Sequence, residues 1–322
     1  MAKIMHTVIL DGHAANPGDL SWDFLDKFGT WEVYAMSPPH TVVERAKNAD
    51  IIILNKTPIT RGTVEQLPKL KFITLLATGY NVIDVDACRE HGVLVANVPS
   101  YSESAVAQQA FAFILEYANR VGSYSASVAA GDWTNCGDFT YQKDPLCELM
   151  GKTIGIVGFG KIGRRVAALA KAFEMRVLVH TAHPEKYPGA QVEFLALDEL
   201  LPQADFVTIH CPLTPATDKM VNKDFISKMK DGAFFVNTAR GGEVDDEALA
   251  QALNSGKLSG AGIDVMLPEP PGADHVLLHA KNVFITPHIA WAAFETRKRL
   301  LKIVEENIAT FIAGNPQNVV NN

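Results

Sequence analysis

The 322-residue chain is 48% hydrophobic and 20% charged, which excludes a disordered protein and leaves room for two domains with real cores. Its formal net charge is −7 with no basic block, arguing against a nucleic-acid partner, and residues 1–10 hold one lysine and a short apolar run, Val8-Ile9-Leu10, from which neither a signal peptide nor a membrane span is expected. Cys88, Cys136, Cys147 and Cys211 have neither metal nor redox spacing, so no metal site is expected and the chain reads as a cytoplasmic protein with reduced thiols.

The first hundred residues alternate between strand-like and helix-like stretches. Strands are predicted at 7–10, 31–35, 50–55, 72–77 and 93–96, with helices between them at 41–48, 63–66 and 85–90. Continuous apolar runs such as Ile51-Ile52-Ile53-Leu54 suit strands covered on both faces of a parallel sheet, and the alternation predicts a doubly wound α/β unit. Residues 102–121 are predicted as one long helix with Ser102 or Ser104 as N-cap, and 131–150 as irregular. Alternation then resumes: strand 153–158, helix 161–173, strands 175–180, 205–210 and 233–236, helix 245–254, and strands 259–263 and 283–285. A long amphipathic helix, 292–311, ends the pattern. One helix is too little for a third domain, so it is expected to cross back onto the first unit. The expected organisation is a discontinuous domain, 1–100 with 291–322, interrupted by a second, 101–290, with a ligand in the crevice between them.

Gly158-Phe159-Gly160-Lys161-Ile162-Gly163 falls where the strand 153–158 gives way to a helix. That context is what a dinucleotide fingerprint requires. The first glycine permits the tight turn, the second lets a pyrophosphate approach the backbone, and the third lets helix and strand pack closely. The helix N-terminus adds free N–H donors and the positive end of its dipole. An acidic residue about 20 positions onward receives the ribose hydroxyls of NAD. Here that position is Thr181, and the next acid is Glu185. Without the carboxylate a 2′-phosphate is not repelled, and His183 and Lys186 could supply positive charge. Thr181 could equally hydrogen-bond a ribose hydroxyl, so NAD and NADP both stay open.

The ends of the later strands should line a reactive nicotinamide. Three segments stand out there: Asn237-Thr238-Ala239-Arg240-Gly241-Gly242, Pro268-Glu269-Pro270, and Thr286-Pro287-His288-Ile289-Ala290. Reducing a ketone leaves an alkoxide that needs a proton donor, and histidine suits the task. His288 is the candidate, Glu269 a carboxylate that would favour its charged form and fix its tautomer, and Arg240 a guanidinium able to fork onto a 2-keto acid. Each has an ordinary alternative: a surface ion pair for Arg240, a solvated turn for Glu269, a satisfied strand-end histidine for His288. His210, before Cys211-Pro212, competes as a packing residue or cofactor contact. His183, His275 and His279 read as solvated loop residues.

These residues resemble the D-isomer-specific 2-hydroxyacid dehydrogenases over essentially the whole chain. The matching segments are 158–163, His210-Cys211-Pro212-Leu213-Thr214, 237–242, Gly262-Ile263-Asp264-Val265, Glu269-Pro270 and Pro287-His288, in the family's order. Segments 31–34, 54–56, 77–81, 104–108 and 289–292 are most similar to its glycerate dehydrogenase and hydroxypyruvate reductase branch. The resemblance implies a Rossmann cofactor domain inserted into a discontinuous flavodoxin-like substrate domain. It implies that Arg240 binds the substrate carboxylate and carbonyl, that His288 is the acid/base and that Glu269 tunes it. Thr78 and Gly79 would present backbone N–H groups to the substrate carboxylate, and Asp264 would contact the nicotinamide side. Cofactor contacts are implied for Val106, the loop 158–163, Thr181, Cys211, Pro212, Thr238, Ala239 and His288. A homodimer through the cofactor domain and the 102–121 helix is implied as well. The family often places Asp at position 181, so Thr181 is a departure. The expected activity is reduction of hydroxypyruvate or glyoxylate to D-glycerate or glycolate. The alternatives are a dinucleotide-sensing binding protein of the same fold and a formate- or phosphite-type dehydrogenase.

Overall fold

The apolar runs Ile51–Leu54 and Phe72–Leu75 are buried along their whole length and pair in parallel inside a five-stranded sheet. In this computed structural model, which describes residues 4–322, that sheet comprises β1 (Met5–Ile9), β2 (Gly29–Val33), β3 (Ile51–Leu54), β4 (Phe72–Leu75) and β5 (Leu94–Ala96). Its order is β2-β1-β3-β4-β5, with the short helices Val42–Ala46, Arg61–Glu65 and Val85–Glu90 as crossovers. This is the flavodoxin-like doubly wound arrangement.

The sheet belongs to the first of two compact units, which runs to Tyr101 and resumes from Ala292 to Asn322; the second is Ser102–Trp291. The helix Phe294–Ile312 is tied into the first unit by packing and by buried polar bonds. Phe311 stacks on Phe72 with ring centroids 4.4 Å apart. Asn307 is fully buried and donates to Thr74 Oγ1 (3.2 Å) and to the Asn97 carbonyl (3.0 Å). Arg297 forks onto Asp19 at 2.6 and 2.7 Å.

The second unit holds β6 (Thr153–Val157), β7 (Arg176–His180), β8 (Glu193–Phe194), β9 (Phe206–Ile209), β10 (Ala233–Asn237), β11 (Leu258–Ile263) and β12 (Val283–Ile285). They form one parallel sheet in the order β12-β11-β10-β9-β6-β7-β8. Counted from β6, this is the Rossmann order 3-2-1-4-5-6 with a seventh strand added at the β12 edge. Phe111 and Ile114, from the helix Glu103–Asn119, cluster with Val166, Ile154 and Ile156; Leu200, Leu249 and Leu253 cluster with Val207, Phe235 and Ile263. Both faces are therefore dry, which explains the unbroken apolar spelling of the inner strands.

Strand register positions everything that follows. Val157, Ile209, Asn237, Ile263 and Ile285 are aligned across five adjoining strands, and Val157 is also aligned with His180. The next residues, Thr181, Gly158, His210, Thr238, Asp264 and Thr286, consequently form one row along the carboxyl edge. The strand order reverses between β6 and β9, the switch point at which such sheets bind ligands.

The predicted 102–121 helix differs. It stops at Asn119, Arg120 is left-handed (φ 52°), and a second helix, Val121–Ala129, begins at once. The Glu116 carboxylate accepts the Gly122 N–H (3.3 Å), and the missing Cβ at Gly122 lets it approach. Within 131–150 one short helix, Asp132–Asn135, interrupts the irregular chain. Lys223–Lys228 and β8 were not anticipated. The first is a six-residue helix capped by Asn222, whose side chain accepts from Asp224 and Phe225 N–H; the second is too short to show alternation. Among the described residues no helix is long and apolar enough to cross a membrane, and no cluster of His, Cys, Asp or Glu could hold a metal ion.

Candidate active site

The three glycines of the loop after β6 are required for different reasons. Gly158 has φ +96°, and a Cβ there would lie 2.6 Å from the His210 carbonyl carbon. A Cβ on Gly163 would lie 2.2 Å from the Gly158 carbonyl oxygen, so glycine alone lets the helix Lys161–Ala172 start this close to the strand. Around Gly160 a Cβ would meet nothing within 4 Å. Packing within the protein therefore demands two of the glycines, and the third keeps open the space in front of the helix N-terminus.

Along the same carboxyl edge two buried polar atoms, His210 Nδ1 and Thr238 Oγ1, have no hydrogen-bond partner among the described residues. Orphaned donors and acceptors of this kind are costly unless a ligand satisfies them. An open helix N-terminus at the switch point, with unmet polar groups on the same sheet edge, fits a dinucleotide. Gly160→Ala is expected to fold with unchanged Tm yet weaken coenzyme binding by about tenfold or more, whereas Gly163→Ala should cost about 3 kcal/mol of stability through backbone overlap. Thermal melts paired with coenzyme fluorescence titrations separate the two outcomes.

The other predicted cofactor contacts take distinct positions. The Phe159 side chain is buried edge-on against Tyr187 and Phe194 (5.1 and 5.5 Å), so only its main chain can face a ligand, and Ile162 packs on the same cluster. Lys161 Nζ lies 3.8 Å from Glu103, and Val106 is buried in the first turns of the Glu103–Asn119 helix. Thr181 is half-buried, accepts the His183 N–H (3.4 Å), and helps line a cavity of about 310 Å3 with His180, Pro184 and Leu195. Glu185, the nearest acid in sequence, pairs with His183 at 3.2 Å. Pro212 is exposed and Ala239 half-buried.

His288 sits in a loop held from both sides. Its φ is +54°, a region uncommon for residues with a Cβ although histidine is among those that enter it more readily. Asp264 holds it there. The Asp264 carbonyl accepts the His288 N–H (2.8 Å), and its carboxylate accepts the Thr286 hydroxyl (2.6 Å) and the Ile289 and Ala290 N–H groups (both 2.9 Å). A strained residue persists where its neighbours over-determine it, and this one is bracketed before and after. The imidazole Nδ1–H donates to Glu269 Oε2 (2.8 Å), which leaves Nε2 as the ring atom for proton exchange. Met266 N–H in turn donates to the other Glu269 oxygen (3.3 Å).

Arg240 follows β10. Asn237 folds back over the turn, accepting the Ala239 N–H and donating to the Arg240 carbonyl, both at 2.9 Å. The Arg240 N–H donates to Glu243 Oε2 (3.1 Å), while the guanidinium is exposed and touches the Ala239 carbonyl (2.7 Å). Glu243 is fully buried and also accepts the Cys211 thiol (3.4 Å). Burial raises the Glu243 carboxyl from 4.5 to about 7, and burial together with Glu243 pushes the Cys211 thiol up to about 12, so the thiol stays protonated and serves as a donor.

The raised carboxyl makes a stability prediction. Its contribution is fully present below the ordinary value of 4.5 and is lost as pH rises through about 7, because the unfolded chain gives up the proton first. Glu243→Gln cannot ionise, so its stability relative to the parent should improve by up to about 3 kcal/mol between about pH 4.5 and about pH 8. Denaturant melts at both ends of that range provide the measurement; an unchanged gap would contradict the raised carboxyl.

His210 is settled by its surroundings. Its Nε2 meets Thr208 Oγ1 at 2.9 Å, and burial drives the imidazole down to about 3, so it is neutral in any ordinary buffer and cannot be the charged proton donor. His275 is a correction: it is not solvated but largely buried, with Nε2 3.1 Å from Asp246 and Nδ1 accepting the Leu277 N–H. The aspartate and the shielding were invisible in a loop-like sequence. His183 and His279 are exposed as expected. In the first unit, Thr78 and Gly79 follow β4; the Thr78 hydroxyl donates to the Val98 carbonyl and its own carbonyl accepts from Asn97 Nδ2, both at 2.7 Å. Sequence reading missed Glu243. Its signal was a glutamate three positions after Arg240, the spacing at which a carboxylate reaches back to a main-chain N–H.

A Rossmann sheet with a glycine loop on one side of its switch point, and an arginine and a carboxylate-held histidine beyond the other, defines a nicotinamide-dependent oxidoreductase. Residues 111–290 match the family described as "D-isomer specific 2-hydroxyacid dehydrogenase, NAD binding domain". The hydroxypyruvate reductase of Blautia hydrogenotrophica is 44% identical over 323 residues, covering 98% of this chain and 100% of that protein. The glycerate dehydrogenase of Methylorubrum extorquens is 38% identical over 284 residues, 88% of each chain. Among solved structures, D-lactate dehydrogenase from Aquifex aeolicus complexed with NAD and lactic acid is similar with a TM-score of 0.83 at 29% identity, covering 98% of this chain and 97% of that one. The chain belongs to the D-isomer-specific 2-hydroxyacid dehydrogenase family, on its glycerate dehydrogenase and hydroxypyruvate reductase side.

Proposed function

We propose that the protein interconverts a small 2-keto acid and its D-2-hydroxy acid, with hydroxypyruvate or glyoxylate reduced to D-glycerate or glycolate. The observation that carries this reading is the His288–Glu269 bond of 2.8 Å on a loop bracketed by Asp264. A bound reduced nicotinamide supplies a hydride equivalent to the carbonyl carbon. His288 Nε2–H gives its proton to the carbonyl oxygen as charge develops there, and takes it back in the reverse direction. Glu269 fixes the tautomer and stabilises the imidazolium. Arg240 forks onto the substrate carboxylate and carbonyl and stabilises the developing alkoxide. Backbone N–H groups of Thr78 and Gly79 are assigned to the substrate carboxylate in the same proposal.

Coenzyme is assigned to the backbone of 158–163, to Val106, Thr181, Cys211, Pro212, Thr238 and Ala239, and on the nicotinamide side to Asp264 and His288. The hydroxyl of Thr181 suits a ribose hydroxyl and repels no 2′-phosphate, so NADH and NADPH are both included in the proposal. A homodimer through the second unit is part of the same reading. Its support is the run of exposed apolar side chains Val121, Val128, Trp133, Phe139, Leu146 and Met150 in one stretch of chain. We place the protein in the cytoplasm.

A panel of 2-keto acids, with formate and phosphite, assayed against NADH and NADPH in parallel tests the activity. Steady coenzyme oxidation with hydroxypyruvate or glyoxylate supports it. Coenzyme binding without turnover of any keto acid would instead mark a sensor.

A further inference from the structure

Arg240 leaves its loop from a main chain tied on both sides, by Asn237 at its carbonyl and Glu243 at its N–H. The loop cannot take an anchoring side chain of its own at Gly241, where a Cβ would lie 2.2 Å from the Met266 carbonyl carbon. The anchor comes from Glu243 instead. Among the described residues its hydrogen-bond donors are the Arg240 N–H and the Cys211 thiol, the latter from the segment after β9. A carboxyl group buried with two partners costs stability that an apolar side chain of similar size would not. What Glu243 contributes is therefore its bonds, and they join the loop of the substrate-binding arginine to the neighbouring strand end.

We propose that Glu243 is a positioning residue for Arg240: by bridging the Arg240 N–H and the Cys211 thiol, it sets the direction in which the guanidinium meets the substrate carboxylate. The inference rests on Arg240 being the residue that binds that carboxylate. Leucine fills the same space without an acceptor, whereas the carbonyl of glutamine can still accept the N–H. Glu243→Leu should therefore raise KM for the keto acid about tenfold, with a smaller fall in kcat and an unchanged Kd for NADH or NADPH. Glu243→Gln should restore KM to within about threefold of the parent. In an Arg240→Ala background neither substitution should lower kcat/KM further, because the residue they act through is gone.

A folded Glu243→Leu protein with the parent's KM overturns the proposal, and so does a full additional loss on top of Arg240→Ala. Should the leucine variant not fold, Glu243→Met, which also lacks the carboxyl acceptor, takes its place: a KM rise of about tenfold that vanishes when Arg240 is alanine is expected, and a parent-like KM or a persistent rise counts against the proposal. A large loss in Arg240→Ala with position 243 inert removes this inference alone. Parent-like kinetics in Arg240→Ala removes the underlying reading of the arginine.

Discussion

Replacing His288 with alanine should lower kcat by about 10²- to 10⁴-fold while leaving coenzyme affinity intact. The expectation follows from the lack of a substitute. His210, on the same sheet edge, is held neutral by burial at about 3 and already engages Thr208. Alanine also prefers the left-handed backbone of position 288 less than histidine does, so some loosening of the Asp264 bracket is expected. His288→Asn separates the two effects, because asparagine enters that region readily but has no proton that it can give up near neutrality. Both variants should be equally impaired in single-turnover experiments if proton transfer is the loss. Near-parental turnover in either, with coenzyme bound, would exclude His288 as the acid. Glu269→Gln should be milder, since an amide can still accept from Nδ1–H but no longer stabilises the imidazolium.

Arg240→Ala should reduce kcat/KM by about 10²- to 10³-fold, equivalent to about 3–4 kcal/mol, through both parameters. A guanidinium that grips the carboxylate acts in the ground state and so appears in KM. Its hold on the developing alkoxide acts in the transition state and so appears in kcat. Arg240→Lys keeps the charge but loses the planar fork, and should recover only part of the loss. A lysine variant indistinguishable from the parent would show that charge alone suffices and that the two-point geometry is wrong. Steady-state kinetics over a wide keto-acid range, with a coenzyme titration as control, measures this.

Much of the architecture was legible because it is written locally. Runs such as Ile51–Leu54 can be buried on both faces only in a covered parallel sheet, and Gly158, Gly160 and Gly163 are spaced by the turn they make. Arg240, Glu269 and His288 stood out because each chemical type falls where a strand ends. What stayed hidden depends on partners far along the chain. Asp264 brackets His288 from 24 residues upstream, Cys211 meets Glu243 across 32 residues, and Asp246 shelters His275. No periodicity encodes such bonds. The break at Arg120 was missed for a related reason: Glu116 is an ordinary helical residue until its carboxylate turns onto the Gly122 N–H.

The aligned register of the second sheet gives the molecule a comb-like division of labour. Each tooth is a short segment hung from its own strand, about 4.8 Å from the next, so Thr181 after β7 and His288 after β12 stand roughly 24 Å apart along the edge. The strands beneath them are closely packed and stiff, and the segments are tied to their immediate neighbours: Asp264 and Glu269 after β11 hold His288, and Glu243 after β10 holds Cys211. Rewriting the β7 segment to alter coenzyme choice therefore need not disturb the proposed acid/base pair five strands away, whereas reshaping the β10 segment around Arg240 reaches the β9 segment through the Glu243–Cys211 bond. In the proposed assignment, coenzyme choice and acid/base chemistry lie far enough apart on one sheet edge to be adjusted separately, while neighbouring segments change together.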